Sequence, residues 1–327
     1  MRFFDFNDPI AVTVIAAAAS IVLSPLSCRL AERVWAMDVP SDGRRMHRRA
    51  IPRCGGIAVC LAIMGLLAIS GHPLALSMTV GGGVIFLAGA MDDLYSLPPT
   101  VKLLLQALSA ALTLLLFGGE LAVINRSPLY YAVSLAFIVT VTNAFNLIDG
   151  LDGLCPGITV LCGIFIFLIS GDPISLVPVG AMVGFMPYNS YPARMFLGDS
   201  GAMPAGYFMA VCSLGAIAEI GTARVAISML AVLFLPLFDT VLSFVRRLAH
   251  GRSPFTSDRG HIHHRLIDSG LAHPAASGVM VLLSGACGGL GVSFFYDGLS
   301  AANAVCLMLL LSGAGCLVFA IKKGYRQ

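Results

Sequence analysis

The chain has 327 residues, of which 57% are hydrophobic and 11% charged, with a formal net charge of +3. A soluble domain carries about a quarter charged residues, so this composition cannot build a water-facing surface, and a basic excess this small sets aside a nucleic-acid-binding protein. Nine cysteines, an odd number scattered mostly through apolar stretches with no CxxC pair, read as small core residues and give no disulfide or metal framework.

Apolar stretches of membrane-spanning length recur from end to end. Eleven are predicted, at about residues 10–30, 54–70, 74–91, 101–117, 129–145, 154–170, 174–188, 202–220, 225–245, 275–296 and 301–321. The seventh is the weakest, being short and holding Pro178 and Pro187. Continuous apolar runs indicate helices, since barrel strands alternate. With the N-terminus outside, the inner loops and helix ends hold seventeen Arg and Lys residues, and only Arg2, Arg126 and Arg224 fall outside. That asymmetry is the positive-inside pattern. The expectation is an all-α, polytopic membrane protein of about eleven transmembrane helices. Its N-terminus would be periplasmic, its C-terminus cytoplasmic, and residues 1–327 would form one integral membrane domain. Asp5 and Asp8 argue against a cleavable signal peptide, which starts basic. No repeat of the transporter type is evident.

The outer connections are short and chemically poor, whereas five inner ones hold nearly every residue capable of chemistry. The first, residues 38–56, carries Arg44, Arg45, Arg48, Arg49 and Arg53 with His47 and Gly55-Gly56. It reads equally as an anionic-lipid anchor or as a phosphate clamp of Arg forks with a tight glycine turn. The second begins with Asp92-Asp93, two adjacent carboxylates at the end of an apolar run, which are costly there unless solvated, paired or metal-bound. Lys102, at the start of the next span, can return toward them.

The third connection contains Asn143, Asn146, Asp149 and Asp152, with a glycine directly after each aspartate. Asn146, Asp149 and Gly153 fall at helical spacing, so one helix face could line a polar pocket. In the fourth, Asp199 stands immediately before a span whose N-terminal dipole favours an anion. A carboxylate and a phosphate can share that place only across a cation, and oxygen donors point to Mg2+, or to Mn2+. The fifth runs from Ser253 to Leu266 and holds Arg259, His261, His263, His264 and Arg265. Zinc has no cysteine partner here, and His with Arg suits diphosphate and sugar hydroxyls better. His72, His250 and His273 stand alone and read as loop or interface residues.

Taken together, Asp92-Asp93 with Lys102, the run from Asn143 to Leu154, Phe196-Leu197-Gly198-Asp199-Ser200-Gly201 and His261-Ile262-His263-His264 resemble the polyprenyl-phosphate N-acetylhexosamine-1-phosphate transferase superfamily, glycosyltransferase family 4. They stand in that family's order and spacing across essentially the whole chain. The His-Ile-His-His-Arg form looks like the WecA-type branch, which makes undecaprenyl-linked GlcNAc phosphate. Cys155-Pro156 and Ala202 depart from its usual residues.

The resemblance implies transfer of a sugar-1-phosphate, GlcNAc-1-phosphate by the branch, from a UDP-N-acetylhexosamine to undecaprenyl phosphate. UMP would leave, and a lipid-linked glycan such as O-antigen would begin at the cytoplasmic face of the bacterial inner membrane. It implies Asp92, Asp93, Lys102 and Asp199 as catalytic residues, with Asp199 and Asn146 as ligands to Mg2+. It further implies Asn146, Asp149, Asp152, Arg259, His261, His263, His264 and Arg265 as substrate-binding residues, and the phosphate-clamp reading of the first connection adds Arg44 and His47. Direct attack and a phospho-aspartate route are both open, and a homodimer is compatible with the sequence. The same reaction with UDP-FucNAc, UDP-QuiNAc or UDP-MurNAc-pentapeptide is the nearest alternative. A transporter, the rival from another class, would want charge at mid-depth, yet Asp239 and Arg29, both near inner ends, are the main charges within spans.

Overall fold

The computed structural model describes residues 6–34, 37–38, 50–117, 127–251, 260–300 and 303. Helices dominate: α1 (Pro9–Val34), α2 (Gly55–Ser70), α3 (Ala75–Tyr95), α4 (Pro99–Leu116), α5 (Pro128–Ile148), α6 (Leu154–Ser170), α7 (Leu176–Asn189), α8 (Asp199–Ile220), α9 (Ala223–Val232), α10 (Phe234–Ala249), α11 (Ile262–Asp268) and α12 (His273–Asp297). A short antiparallel pair, β1 (Met37–Asp38) with β2 (Ile51–Pro52), precedes α2. Among the described residues, every stretch predicted to span is helical. Six helices among the described residues are long and apolar enough to cross a bilayer, or seven with α9 and α10 counted as one span. The chain is therefore a multi-pass helical membrane protein. The eleventh predicted stretch, 301–321, lies outside the described residues apart from Asn303.

Burial sorts the long helices. The apolar window of α8 is 83% buried, against 28% to 39% for the other five. α8 is thus the axis, wrapped by α2, α3, α5 and α6, while the others turn apolar faces outward, as a lipid-facing helix must. Small residues on α8 permit the close approach that drives helix association in lipid: a Cβ at Gly206 would fall 2.6 Å from the Val141 carbonyl of α5. Deep in the bundle the Tyr207 hydroxyl bonds Thr113 Oγ1 of α4 at 2.7 Å and donates to the Ser77 carbonyl of α3 at 3.1 Å. Such bonds average about 0.6 kcal/mol in a bilayer, so this clamp sets the register of three helices more than it stabilises them.

One predicted span is not straight. Residues 225–245 break at Leu233 into α9 and α10, which meet at 72°. The cause is Pro236, which has no N–H to return to the Val232 carbonyl four residues back. That carbonyl instead accepts the Cys162 thiol at 3.4 Å, so no bare acceptor is left in the apolar interior.

At the end of the bundle where α2, α4, α6 and α8 finish, a cavity of about 570 Å3 is lined by His72, Asp172 and Glu219, among others. His72 is not solitary there: its Nε2 lies 3.2 Å from Asp172, and its Nδ1 accepts the Leu74 N–H at 3.1 Å. All the chemistry argued below stands at the opposite end.

α2 is seated on the start of α8 through glycine. The Gly55 and Gly56 N–H groups donate to the Phe196 and Leu197 carbonyls at 3.0 and 2.9 Å. A Cβ on Gly56 would fall 2.2 Å from the Ser200 backbone, which cannot move aside. Gly56→Ala is therefore expected to lower stability in detergent by about 1–3 kcal/mol, read as a lower thermal midpoint. Gly65→Ala on the same helix, where a Cβ meets nothing within 4 Å, should be neutral or gain up to about 1 kcal/mol. Equal destabilisation of both would refute the seating argument.

Candidate active site

Asp92 and Asp93 lie in the last turn of α3. The helix stops at Ser96, in the left-handed region at φ 53, whose N–H bonds back to the Asp92 carbonyl at 2.9 Å. Pro99 opens α4 at its first position, where a missing N–H does no harm, and this tight reversal brings Lys102 back over α3. Lys102 Nζ donates to Asp92 Oδ2 at 3.0 Å and makes a short contact to Asp199 Oδ2. The other Asp92 oxygen accepts the Leu97 N–H at 2.7 Å.

Asp93 does something different. Its two oxygens accept the N–H groups of Asp199 at 2.9 Å and Ser200 at 3.0 Å, so it caps α8 from another helix. The preceding residue, Gly198, has φ 72, and a Cβ there would sit 2.6 Å from Asp93 Oδ2; glycine is required on both counts. Of the adjacent pair, Asp93 holds α8 in place and Asp92 faces Lys102 and Asp199.

Asp199, at the first position of α8, also bonds Asn146 near the end of α5 and contacts the Asp92 carboxyl. One turn deeper, Gln106 of α4 and Asn143 of α5 exchange amide hydrogen bonds, Gln106 Nε2 to Asn143 Oδ1 at 3.3 Å and a shorter one in return. This pair fixes α4 against α5 and thereby Lys102 against Asn146. Gln106 was legible only as a lone polar residue four positions beyond Lys102.

The predicted helical face through Asn146, Asp149 and Gly153 does not form. α5 ends at Ile148, Asp149 is its C-cap at ψ 56, and Gly153 turns the chain at φ 72. Asp149 instead sits in the turn facing Asp199. Burial, then the neighbouring Asp199 and Asp93 carboxylates, push its carboxyl up to about 8. Asp152 is committed to the backbone: its Oδ2 accepts the Ala193 N–H at 2.9 Å. Asn189, which the sequence reading did not single out, is buried and joins the same two segments. It accepts the Gly153 N–H and donates to the Met195 carbonyl, both at 2.9 Å. From the first inner connection, Arg53 pairs in parallel with Phe196 and its charge acts on Asp149. Arg44, His47 and Arg259 lie outside the described residues.

The histidine segment docks on this turn. His263 is 1% exposed, and a Cβ on Gly150 would strike its Nε2. Burial, then His264, hold its imidazole down at about 3, so it is neutral. Its ring lies nearly parallel to that of His261 at 5.7 Å and tilted against that of His264 at 4.3 Å. His261 Nδ1 lies 2.8 Å from Asp239 Oδ2, and the Ile262 N–H donates to Asp239 Oδ1 at 2.8 Å. Arg265 Nε donates to the Gly260 carbonyl at 2.9 Å.

Five separate connections thus meet at one end of the bundle, around carboxylates balanced by Lys102. Asp199, Asn146 and Asp92 offer hard oxygen donors. Among the described residues, no group of three His, Cys, Asp or Glu side chains is gathered to hold a metal ion alone. That donor set fits Mg2+, which is held by one or two carboxylates and completes its shell with phosphate oxygens and water.

Residues 75–217 match the model of glycosyl transferase family 4. A probable undecaprenyl-phosphate N-acetylglucosaminyl 1-phosphate transferase of Bacillus subtilis is 32% identical, over 83% of this chain and 80% of its own length. A decaprenyl-phosphate N-acetylglucosaminephosphotransferase of Mycobacterium tuberculosis is 29% identical over 90% and 85%. An undecaprenyl-phosphate alpha-N-acetylglucosaminyl 1-phosphate transferase of Thermotoga maritima is 32% identical over 76% and 78%. With an extended likeness of this kind added to the converging aspartates, lysine and histidines, the chain belongs to glycosyl transferase family 4, in the polyprenyl-phosphate N-acetylhexosamine-1-phosphate transferase superfamily.

Proposed function

We propose that the protein transfers GlcNAc-1-phosphate from UDP-GlcNAc to undecaprenyl phosphate, releasing UMP and starting a lipid-linked glycan of the O-antigen kind. The observation that carries this reading is the meeting of Asp92, Lys102 and Asp199 at the end of three helices. An oxygen of the lipid phosphate attacks the β-phosphorus, the bond from that phosphorus to the bridging oxygen breaks, and UMP leaves with that oxygen. Two anions must approach, so positioning and charge neutralisation dominate the rate. Asp199 and Asn146 would hold Mg2+, which supplies positive charge at the diphosphate. Lys102 offsets phosphate charge, and Asp92 accepts the proton of the incoming lipid phosphate or orients it. Asp149, half-buried beside Asp199, holds the uridine side of the donor. His261, with its neighbours in the histidine segment, reaches the diphosphate and sugar.

Membrane placement follows from the same reading. A cytoplasmic nucleotide sugar and an inner-leaflet lipid require the aspartate end to face the cytoplasm of a bacterial inner membrane, as the charge bias suggests. Eleven crossings with the N-terminus outside satisfy that orientation. The break at Leu233 supports a sideways route for the lipid tail, because α10 carries exposed Val241, Phe244, Val245 and Leu248 away from the bundle.

The deciding experiment supplies purified protein with UDP-GlcNAc, undecaprenyl phosphate and Mg2+ and measures UMP. Release dependent on both substrates and the cation is expected; none with any UDP-N-acetylhexosamine, with or without cation, would overturn the assignment. Asp199→Asn should lose at least about a hundredfold in turnover with an unchanged thermal midpoint. Asp93→Asn should lower the midpoint as well, by about 0.5–2 kcal/mol of lost cap.

Asp149 sets a pH signature. An unfolded aspartate ionises near 3.9 and this one near 8, so between those values the folded state binds more protons and stability falls as pH rises. In chelator, the thermal midpoint should decline from about pH 5 to about pH 8 and then level. Asp149→Asn should flatten that decline; an unchanged slope would show that Asp149 is not held protonated.

A further inference from the structure

Asp239 is a buried acid that the family chemistry leaves unassigned. It is 1% exposed in an apolar stretch, where a carboxylate is expensive unless it is paired and hydrogen-bonded. Both of its oxygens are engaged by the histidine segment, at His261 Nδ1 and at the Ile262 N–H. With the Ile262 N–H on its other oxygen, this carboxyl keeps the Nδ1 edge of the ring turned toward α10. Ser243 Oγ stands 3.2 Å from the same nitrogen and takes a hydrogen bond from Arg246 Nη2 at 3.0 Å. Nδ1 is therefore occupied from one side of the ring, and Nε2 is the nitrogen left without a protein partner among the described residues.

We propose that Asp239 is a positioning residue for the transfer reaction. It holds the Nδ1 edge of His261 against α10, so that Nε2 is the edge that meets the nucleotide sugar. This rests on the transferase reading above. The bend between α9 and α10 is part of the device, because it turns α10 under the histidine segment and puts Asp239 where a straight span would not. His263 stacks against the same ring but is sealed against Gly150, so the two histidines have different tasks: His261 meets the ligand, and His263 packs the segment onto the α5–α6 turn. The charged or titratable groups around His261 are Asp239 and Arg246 on α10, His263, His264 and Arg265 on α11, His273 at the start of α12, and Asp149 beside Gly150. Among these, Asp239 is the one with a carboxylate on the ring.

The test is UMP release for wild type, Asp239→Asn and Asp239→Glu, with kcat measured and KM measured separately for UDP-GlcNAc and undecaprenyl phosphate. An amide at this position presents Nδ1 with a different partner and loosens the hold on the ring. The Asp239→Asn variant is expected to act through affinity for the nucleotide sugar. KM for UDP-GlcNAc should rise about tenfold, and KM for the lipid should change less than about twofold. Asp239→Glu, which keeps the carboxylate, should return KM for UDP-GlcNAc toward its wild-type value. An unchanged KM for UDP-GlcNAc in a folded Asp239→Asn, or equal losses for both substrates, would overturn the proposal and leave Asp239 a structural residue. His261→Gln supplies a check independent of whether the Asp239 variants fold: its KM for UDP-GlcNAc must rise at least as far, and an unchanged value also overturns the proposal. UMP release by wild type separates the two readings, since its absence defeats the transferase assignment while its presence with unchanged KM values in the variants defeats only the role of Asp239.

Discussion

The capping of α8 by Asp93 is the contact on which the rest of this architecture depends. α8 is the buried axis, and its first residues are the only place where Asp199, Ser200 and the tight Gly198 turn can meet α3. A cap of this kind contributes about 0.5–2 kcal/mol, little beside the apolar burial of the whole bundle. Its importance is one of position. Lipid packing lets helices slide with small loss, because tails and side chains are equally apolar. A bidentate carboxylate aimed at two N–H groups does not tolerate sliding. With α3 and α8 fixed to each other at one end, Asp92 and Asp199 come face to face, and the short reversal through Pro99 leaves Lys102 between them.

From that point polarity spreads in a shallow layer. Lys102 and Asn146 stand at the rim, Gln106 and Asn143 one turn below, and beyond them the helices are joined by isolated hydroxyl contacts such as Tyr207 with Thr113. The layer is thin because each polar group must find a partner in an environment that offers no water. Asp152 and Asn189 show the same economy at the rim. Their side chains serve the backbone of the segment before α8, so that the loop carrying Phe196 to Gly198 has a fixed course into the helix.

Much of this was legible in the residues. Composition and spacing located the helices, and the adjacent aspartates, Lys102 and Asp199 stood out because charges at the ends of apolar runs are rare. Three things were not legible. The helical spacing from Asn146 to Gly153 suggested one face, but glycine after each aspartate ends the helix at Ile148 and makes a turn. Adjacent residues on a helix diverge by about 100°, so one of Asp92 and Asp93 could face the site while the other braces it, but only the approach of α8 tells which caps and which faces Lys102. Asp239 looked like an isolated charge near a span end, because the partner that explains it, His261, lies 22 residues on across a bend. The bend itself was hidden by Pro236, which hydropathy counts as no interruption at all.

That bend places an unexpected demand on Cys162. Pro236 deprives the Val232 carbonyl of its ordinary donor, and the Cys162 thiol from α6 takes its place. By composition Cys162 is a small apolar core residue, and size alone would allow alanine. The hydrogen bond restricts the choice to side chains of similar volume that still carry a proton, so serine answers the need and alanine does not. The identity of a residue on α6 is thus dictated by a proline on α10, and the two positions form a single unit of backbone chemistry spread over distant parts of the chain.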